Sequence, residues 1–218
     1  MGTTSSTEDL IDLLVADLKP VRRGAVTRMV TRGIGEGAVV SLATVLLLWG
    51  PRADWSEAVV SVSFWAKAAF TLGLAGSGFA ALLRLARPAG AAPGAALAGL
   101  LAVVVAMGAA AGLQWHLSPP AMRLPLLLGA TWAVCPWLIM ALSAPILCGV
   151  FRALRVMAPT RLRLAGAAAG LTSGAVSAFV YAISCDEYAM PFVFVWYGLA
   201  IAAVSIAGAA LGPKLLRW

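Results

Sequence analysis

Six long apolar segments dominate the pattern of hydrophobic and polar positions in this chain of 218 residues. They cover residues 35–50, 64–83, 93–113, 126–150, 162–183 and 191–212, to within a few positions. Each is close to the roughly 17–25 residues that a helix needs to cross a bilayer. Helices are expected because the backbone must satisfy its own hydrogen bonds in lipid. The pattern therefore predicts an all-α, polytopic membrane protein with six transmembrane helices.

The first 33 residues differ from the rest of the chain because they are mostly polar and charged. We therefore predict two regions. Residues 1–33 form a cytoplasmic N-terminal arm, and residues 34–218 form the six-helix transmembrane domain.

The arm contains a short amphipathic stretch, from Glu8 to Leu18, that Pro20 is expected to end. Its apolar residues fall on one face of a helix, and Asp9 and Asp12 lie near the other face. Three partners for the apolar face stay open: the membrane surface, the protein's own bundle, or a soluble basic protein. The acidic polar face argues against the membrane surface, because interfacial helices favour Lys and Arg.

The overall composition agrees with the membrane class. Hydrophobic residues make up 61% of the chain and charged residues 11%, whereas soluble domains average about 45–50% and about 25%. A net charge of +7 on a soluble protein would suggest nucleic acid as a partner. Here the basic residues lie between apolar segments, so we expect them to set topology and expect no direct binding of nucleic acid.

The distribution of Lys and Arg predicts the orientation of the spans. Thirteen of the 16 basic residues fall in the arm, the second and fourth loops and the C-terminal tail. The positive-inside rule then places both termini in the cytoplasm. Lys67, just inside the second span, is expected to extend its ammonium outward to the membrane surface, with a proton relay as the alternative.

Two details of the spans also follow from the sequence. Three prolines interrupt the fourth segment, so a start nearer Trp132 is the alternative to a start at residue 126. Gly166, Gly170 and Gly174 repeat at four-residue spacing in the fifth segment. Such small-residue faces let helices approach closely, and we expect this one to pack within the bundle.

Three cysteines are candidates for chemistry. Cys135 and Cys185 are expected on the outer side, whereas Cys148 lies about 20 Å from Cys135 along the same helix. Cys135 and Cys185 therefore make the only plausible pair, able to form a disulfide or to respond to oxidants or soft metals. The alternative is that each is simply a small buried residue.

Signatures of catalysis and of ion-coupled transport are sparse. The single histidine, His116, falls in an outer loop, and CxxC, HExxH and phosphate-loop motifs are absent. Acidic residues are nearly absent from the spans, with Glu36 at the start of the first. We therefore expect no enzyme activity and no cofactor. A small six-helix transporter or channel is the alternative function, and a membrane thiol oxidoreductase is a weaker one.

Four parts of the sequence together resemble the NrsF-type bacterial anti-sigma factors. They are the arm from Asp9 to Arg23, the Trp132-x-x-Cys135 element, the block from Cys185 to Gly198, and the terminal Leu215 to Trp218. The resemblance covers the whole chain. Its most specific parts are the arm and the block that begins at Cys185.

The resemblance implies an anti-sigma factor at the bacterial inner membrane. Members of this family hold an extracytoplasmic-function sigma factor through the N-terminal cytoplasmic segment, and an outer cysteine pair is thought to release it under metal or oxidative stress. Carried onto this sequence, the stress-sensing pair is Cys135 and Cys185, and the resemblance leaves metal binding by this pair open. The residues expected to bind the sigma factor are Asp9, Leu10, Asp12, Leu13, Leu14, Asp17 and Leu18. This chain has Ser184 and Asp186 where the family often has His and Pro.

Overall fold

The computed structural model describes residues 11–12, 15–16, 24–52, 54–87 and 94–217, and their regular structure is helical throughout. From residue 24 onward the elements are α1 (Ala25–Leu48), α2 (Trp55–Ala58), α3 (Val62–Leu85), α4 (Gly94–Leu117), α5 (Pro120–Leu128), α6 (Cys135–Met157), α7 (Leu162–Tyr181), α8 (Met190–Phe192) and α9 (Gly198–Leu215). One turn of π-helix, Val193–Tyr197, joins α8 to α9.

Six helical segments of the described chain are long and apolar enough to cross a membrane, which confirms the predicted fold class. Five of them are α1, α3, α4, α6 and α7. The sixth runs continuously from α8 through the π-helical turn to the end of α9, Met190–Leu215. The short helices α2 and α5 lie in the connections between spans.

The first span begins earlier than the hydropathy pattern predicted. α1 starts at Ala25, directly after Gly24, whose backbone is left-handed with φ 82°. Arg32 and Glu36 form an ion pair of 2.8 Å one helical turn apart, which favours a helix that continues out of the lipid. Residues 1–33, predicted as the arm, therefore include the first turns of α1.

The fourth span starts near the later of the two predicted positions. α6 begins at Cys135, and Pro136 occupies its first turn, where the missing N–H has no helical partner to lose. Pro125 belongs instead to α5. That helix ends at Gly129, whose φ of 56° favours glycine and lets the chain turn before α6.

Glycines bring the spans into close contact. α7 is the most buried span and lies against α3, α6 and α9. Gly166 and Gly170 of α7 face Gly208 of α9 so closely that an added Cβ would overlap backbone atoms. Gly33 of α1 and Gly149 of α6 meet in the same way. The predicted packing of small residues within the bundle is thus confirmed for the fifth span.

Contacts between the loops that connect the helices define one end of the bundle. The α1–α2 connection meets the α7–α8 loop where the Arg52 amide donates to the Ile183 carbonyl at 3.4 Å. The α5–α6 connection meets the same loop where the Ala130 amide donates to Glu187 at 2.7 Å. These three segments share one end, which we call the outer face. The opposite end carries the start of α1 and the end of α6.

Candidate cysteine site

Cys135 and Cys185 lie side by side beneath the outer face. Their sulfur atoms are 3.8 Å apart, and both residues are buried, with 0% and 3% of their surface exposed. Cys135 is the first residue of α6, and Cys185 belongs to the α7–α8 loop. Both are free thiols. The structure therefore brings together the pair that the sequence predicted, in hydrogen-bonding contact.

Two hydroxyl groups surround the sulfur of Cys135. Its thiol donates to Thr131 Oγ1 at 3.0 Å and contacts the Tyr181 hydroxyl at 3.2 Å. The ring of Tyr181 lies 6.3 Å from the ring of Tyr197, which is wholly buried. The pair thus lies among hydroxyl groups, with the rings of the two tyrosines close by.

Lys67 is held inside the protein at this site. Its side chain is buried with 1% of the residue exposed, and Nζ donates to the Cys185 carbonyl oxygen at 3.1 Å. Nζ also lies 5.3 Å from the centre of the Tyr197 ring, within range of a cation–π contact. The prediction that this ammonium reaches outward to the membrane surface is therefore wrong. The α7–α8 loop covers the outer end of α3 and offers a carbonyl that replaces water.

Arg52 fastens the α7–α8 loop to the α1–α2 connection. Its guanidinium donates to both Asp54 carboxylate oxygens, at 2.6 and 2.9 Å, and to the Tyr188 hydroxyl. Nη1 also reaches the Cys185 carbonyl at 3.4 Å, so two cations share that oxygen. The Ser184 hydroxyl, just before the cysteine, donates to the Gly50 carbonyl. Cys185 is therefore held through its backbone and its neighbours.

Glu187 fastens the other side of the same loop. One of its carboxylate oxygens accepts from the amide of Ala130 at 2.7 Å and from the amide and hydroxyl of Thr131, each at 3.1 Å. Thr131 is also the hydroxyl that Cys135 contacts. This carboxylate therefore links the segment before α6 to the loop that carries Cys185.

Charge and hydrogen bonding shift the ionisation of groups in these loops. The hydrogen bond with Cys135 and the positive charge of Lys67 lower the pKa of the Cys185 thiol, while burial opposes them. The hydrogen bonds from Arg52 and Tyr188 lower the pKa of Asp54 to about 2. The site thus favours an anion at Cys185 and keeps Asp54 ionised at neutral pH.

The described residues contain no larger cluster of metal ligands. Among them, no group of three or more His, Cys, Asp or Glu side chains is arranged to hold an ion. Cys148 lies two turns before the end of α6, in an exposed position. The two outer thiols are thus brought together without further ligands of these types around them.

The structure describes part of the predicted sigma-factor-binding segment. Asp12 is helical and exposed, as are Ile11 and Val15 of the apolar stripe. The other six predicted residues, Asp9, Leu10, Leu13, Leu14, Asp17 and Leu18, lie outside the described residues. Ile11 and Val15 have 51% and 58% of their surface exposed. The rest of the described bundle therefore does not cover these two apolar side chains.

Sequence reasoning identified the cysteines but missed the groups that surround them. For Lys67 the sequence predicted an ammonium at the membrane surface, with a proton relay as the alternative, and it gave no role at the site to Tyr181 or to Tyr197. One signal was available, because a lysine within an apolar span needs a partner inside the protein. The partner, a backbone carbonyl 118 positions away, could not be read from side-chain types.

Comparison with known proteins gives the relationship of the whole chain. A family described as negative regulator of sigma F, NrsF, matches residues 14–218. The chain belongs to the NrsF family. This NrsF family match includes all six spans and both outer cysteines, and it begins inside the N-terminal arm.

Two relatives extend the NrsF similarity over nearly the full length. A protein of Azospira oryzae named as a probable anti-sigma-F factor NrsF is 39% identical over 212 residues, covering 97% of this chain and 99% of the relative. The anti-sigma-F factor NrsF of Caulobacter vibrioides is 39% identical over 216 residues, with the same coverage of both chains. No solved structure matches this NrsF family chain.

Proposed function

We propose that this protein is an anti-sigma factor of the bacterial inner membrane, with both termini in the cytoplasm, that holds an extracytoplasmic-function sigma factor through its N-terminal arm. The observation that carries the proposal is the 39% identity, over nearly the full chain, to two proteins named as anti-sigma-F factors. The six membrane-spanning helices and the positive-inside distribution of Lys and Arg support the placement.

The described part of the arm supports a role in binding a partner. Ile11 and Val15 are four positions apart in the sequence and more than half exposed, so their apolar surface is open to a partner. Asp12 is helical and exposed as well. An amphipathic helix with an open apolar stripe and acidic edges fits a groove with basic margins. A surface of a sigma factor that contacts DNA has this character, since DNA-binding surfaces are positively charged.

In the bound state, we assign the apolar contacts to the leucines of the arm and the charged contacts to its aspartates. The leucines are Leu10, Leu13, Leu14 and Leu18, and the aspartates are Asp9, Asp12 and Asp17. A helix as short as the predicted one is only marginally stable alone in water, so binding to a partner would stabilise it. Occlusion of the sigma factor at the membrane then keeps it from RNA polymerase.

The cysteine pair is the proposed origin of the release signal. A disulfide requires the two sulfur atoms to approach from 3.8 Å to about 2.05 Å, which pulls the α7–α8 loop toward the start of α6. α6 packs along α1 through Gly33 and Gly149, and the Ser41 hydroxyl of α1 donates to the Leu142 carbonyl of α6 at 2.7 Å. The first turns of α1 fall within the predicted arm, so a shift of α6 has a short physical route to these residues.

Co-purification tests the anchor function. A C-terminally tagged protein is solubilised gently from native membranes, and the bound proteins are identified by mass spectrometry. We expect a sigma factor with the unaltered chain and its loss with Leu10→Asp combined with Leu14→Asp, because carboxylates on the apolar stripe oppose burial.

Thr3→Asp combined with Thr4→Asp is the matched control, since it adds the same charge before the predicted helix and should leave the sigma factor bound. Retention of the sigma factor by the leucine variant would contradict binding through the arm. Its absence from every sample would contradict the anti-sigma function.

A further inference from the structure

The side chain of Lys67 is buried, with 1% of the residue exposed, and forms no ion pair among the described residues. The one hydrogen bond from Nζ goes to the neutral Cys185 carbonyl. An unpaired buried charge is strongly unfavourable, so Lys67 is stable in its charged form only where a neighbouring group supplies a negative charge.

The groups that face this ammonium leave one suitable anion. Its charged and titratable neighbours are Cys185, Cys135, Glu187, Arg52 and Tyr197. Arg52 is a cation, and Glu187 already accepts three hydrogen bonds from the segment before α6. Tyrosine ionises less readily than a thiol. The negative charge therefore belongs to the cysteine pair.

Two features distinguish Cys185 from Cys135 within the pair. The single proton of the Cys135 thiol is directed at Thr131 Oγ1 at 3.0 Å, so Cys135 keeps it, whereas the Cys185 sulfur contacts the Cys135 sulfur at 3.8 Å and has no hydroxyl acceptor of this kind among the described contacts. The Tyr197 hydroxyl is fully buried, has no hydrogen-bond partner among the described residues and lies beside Cys185, where it can donate to a thiolate. The lowered pKa of Cys185 agrees with this arrangement.

We propose that Cys185 is the attacking thiolate of the pair, that Cys135 is the resolving thiol, and that Lys67 is the positioning residue that supplies the counter-charge. This inference rests on the cysteine site of the proposed function, and it names the oxidant class as a hydroperoxide. A small oxidant is required because Cys185 is only 3% exposed.

The chemistry proceeds in two steps. The Cys185 thiolate attacks the distal oxygen of the hydroperoxide, the O–O bond breaks, and an S–O bond forms to give sulfenic acid and an alkoxide or hydroxide. Cys135, 3.8 Å away, then attacks the Cys185 sulfur, and the hydroxyl leaves as water with the proton of the Cys135 thiol. Two electrons pass from the thiols to the peroxide, and a disulfide results.

The first test locates the sulfenic acid. The full-length protein is purified in detergent with Cys148→Ala, treated with hydrogen peroxide and trapped with dimedone for mass spectrometry. We expect labelling of Cys185 in the Cys135→Ser variant, because the resolving thiol is missing, and at least about tenfold less labelling of Cys135 in the Cys185→Ser variant. Equal labelling of both cysteines, or preferential labelling of Cys135, would overturn the assignment.

The second test measures how the positive charge of Lys67 affects the rate at which Cys185 is alkylated. In the Cys135→Ser background, Lys67→Met should slow alkylation of Cys185 by iodoacetamide about tenfold or more at pH 7, because each unit of pKa changes the thiolate fraction about tenfold. At pH 10 the two rates should converge. Arg123→Met removes another outer-side cation and should leave the pH profile unchanged.

Parallel pH profiles of Lys67→Met and the parent protein would show that Lys67 has only a structural role and would overturn its assignment. Thermal unfolding checks that each variant is folded. If Lys67→Met does not fold, the dimedone labelling of the two cysteine variants still tests the assignment of Cys185. Neither test involves a sigma factor. A failed co-purification with intact thiol chemistry would therefore contradict the anchor function alone, and the reverse result would contradict this inference alone.

Discussion

At the scale of single residues, the outer face is organised around one backbone carbonyl. The oxygen of Cys185 accepts from Lys67 at 3.1 Å and from Arg52 at 3.4 Å, and both cations are almost completely buried. Arg52 is in turn oriented by Asp54 and Tyr188. Bidentate contact with a carboxylate fixes the plane of the guanidinium, and with it the position of the loop.

Asp54 makes this arrangement sensitive to acid. Its pKa is about 2 in the folded protein, below the usual 3.8, so its ionised form stabilises the fold above about pH 4. That stability is lost as the pH falls from about 4 toward 2. We expect Asp54→Asn to lower the melting temperature of the detergent-solubilised protein at pH 6, with the difference from the parent disappearing near pH 2.

Glu57→Gln is the control for Asp54→Asn, because it removes a carboxylate of the neighbouring α2 that forms no ion pair among the described residues. Its melting temperature should stay close to that of the parent at both pH values. A difference for Asp54→Asn that persists unchanged at pH 2 would show that the Arg52–Asp54 pair is not its origin.

At the scale of helices, close backbone contacts at glycines hold neighbouring helices of the bundle together. α7 approaches α9 at Gly166 and Gly208 and approaches α3 near Gly78 and Thr172. These contacts exclude any Cβ at the glycines, in contrast with Gly112 of the peripheral α4, where an added Cβ meets nothing within 4 Å.

Gly166→Val and Gly112→Val therefore form a matched pair. Overpacking of a close helix contact costs about 1–3 kcal/mol, so we expect Gly166→Val to reduce the free energy of unfolding by at least about 2 kcal/mol. Gly112→Val should change it by less than about 0.5 kcal/mol. Denaturation of both variants in the same detergent checks this, and equal effects would show that the α7–α9 contact tolerates a side chain.

The elements also show what the sequence could and could not predict. Hydropathy located the second, third, fifth and sixth spans to within a few residues, because their ends coincide with polar loops or prolines. It missed the first turns of α1, where Arg32 and Glu36 satisfy each other and so interrupt an apolar window without interrupting the helix. The cysteine pair was predictable from sidedness alone, since only Cys135 and Cys185 fall at the same end.

The surroundings of the pair were beyond prediction for a physical reason. Lys67, Tyr181 and Tyr197 converge because of the rotation of three different helices about their axes and the path of one loop. Residue types specify each helix but not these relative rotations, which depend on tertiary contacts such as those between the glycines of neighbouring helices. Such contacts are visible only once the tertiary structure is known.

At the scale of the whole molecule, the cysteine site and the start of α1 lie at opposite ends of the bundle. α6 begins with Cys135 at the outer face, and α1 begins at Ala25 at the other end. The two helices run side by side over most of their length. A change at one end can reach the other through α1 and α6 alone, which requires that this helix pair has two stable arrangements.

We predict that Cys135→Ser combined with Cys185→Ser abolishes induction of the genes transcribed by the sigma factor when cells meet a hydroperoxide or a soft metal. Basal repression should be unchanged, because the arm is intact. Cys148→Ser is the control and should respond normally, since this cysteine lies far from the pair. A reporter gene measures both outcomes, and normal induction in the double variant would contradict sensing by this pair.

The shared carbonyl of Cys185 has a genetic consequence. Lys67 and Arg52 both donate to the backbone carbonyl of Cys185. The substitution Cys185→Ser changes only the side chain and therefore keeps both hydrogen bonds. Under the proposed function, a Cys185→Ser variant therefore keeps these two backbone hydrogen bonds and loses the thiol to which sensing is assigned. Under the proposed function, a point mutation at residue 185 can therefore alter sensing separately from the binding of the sigma factor.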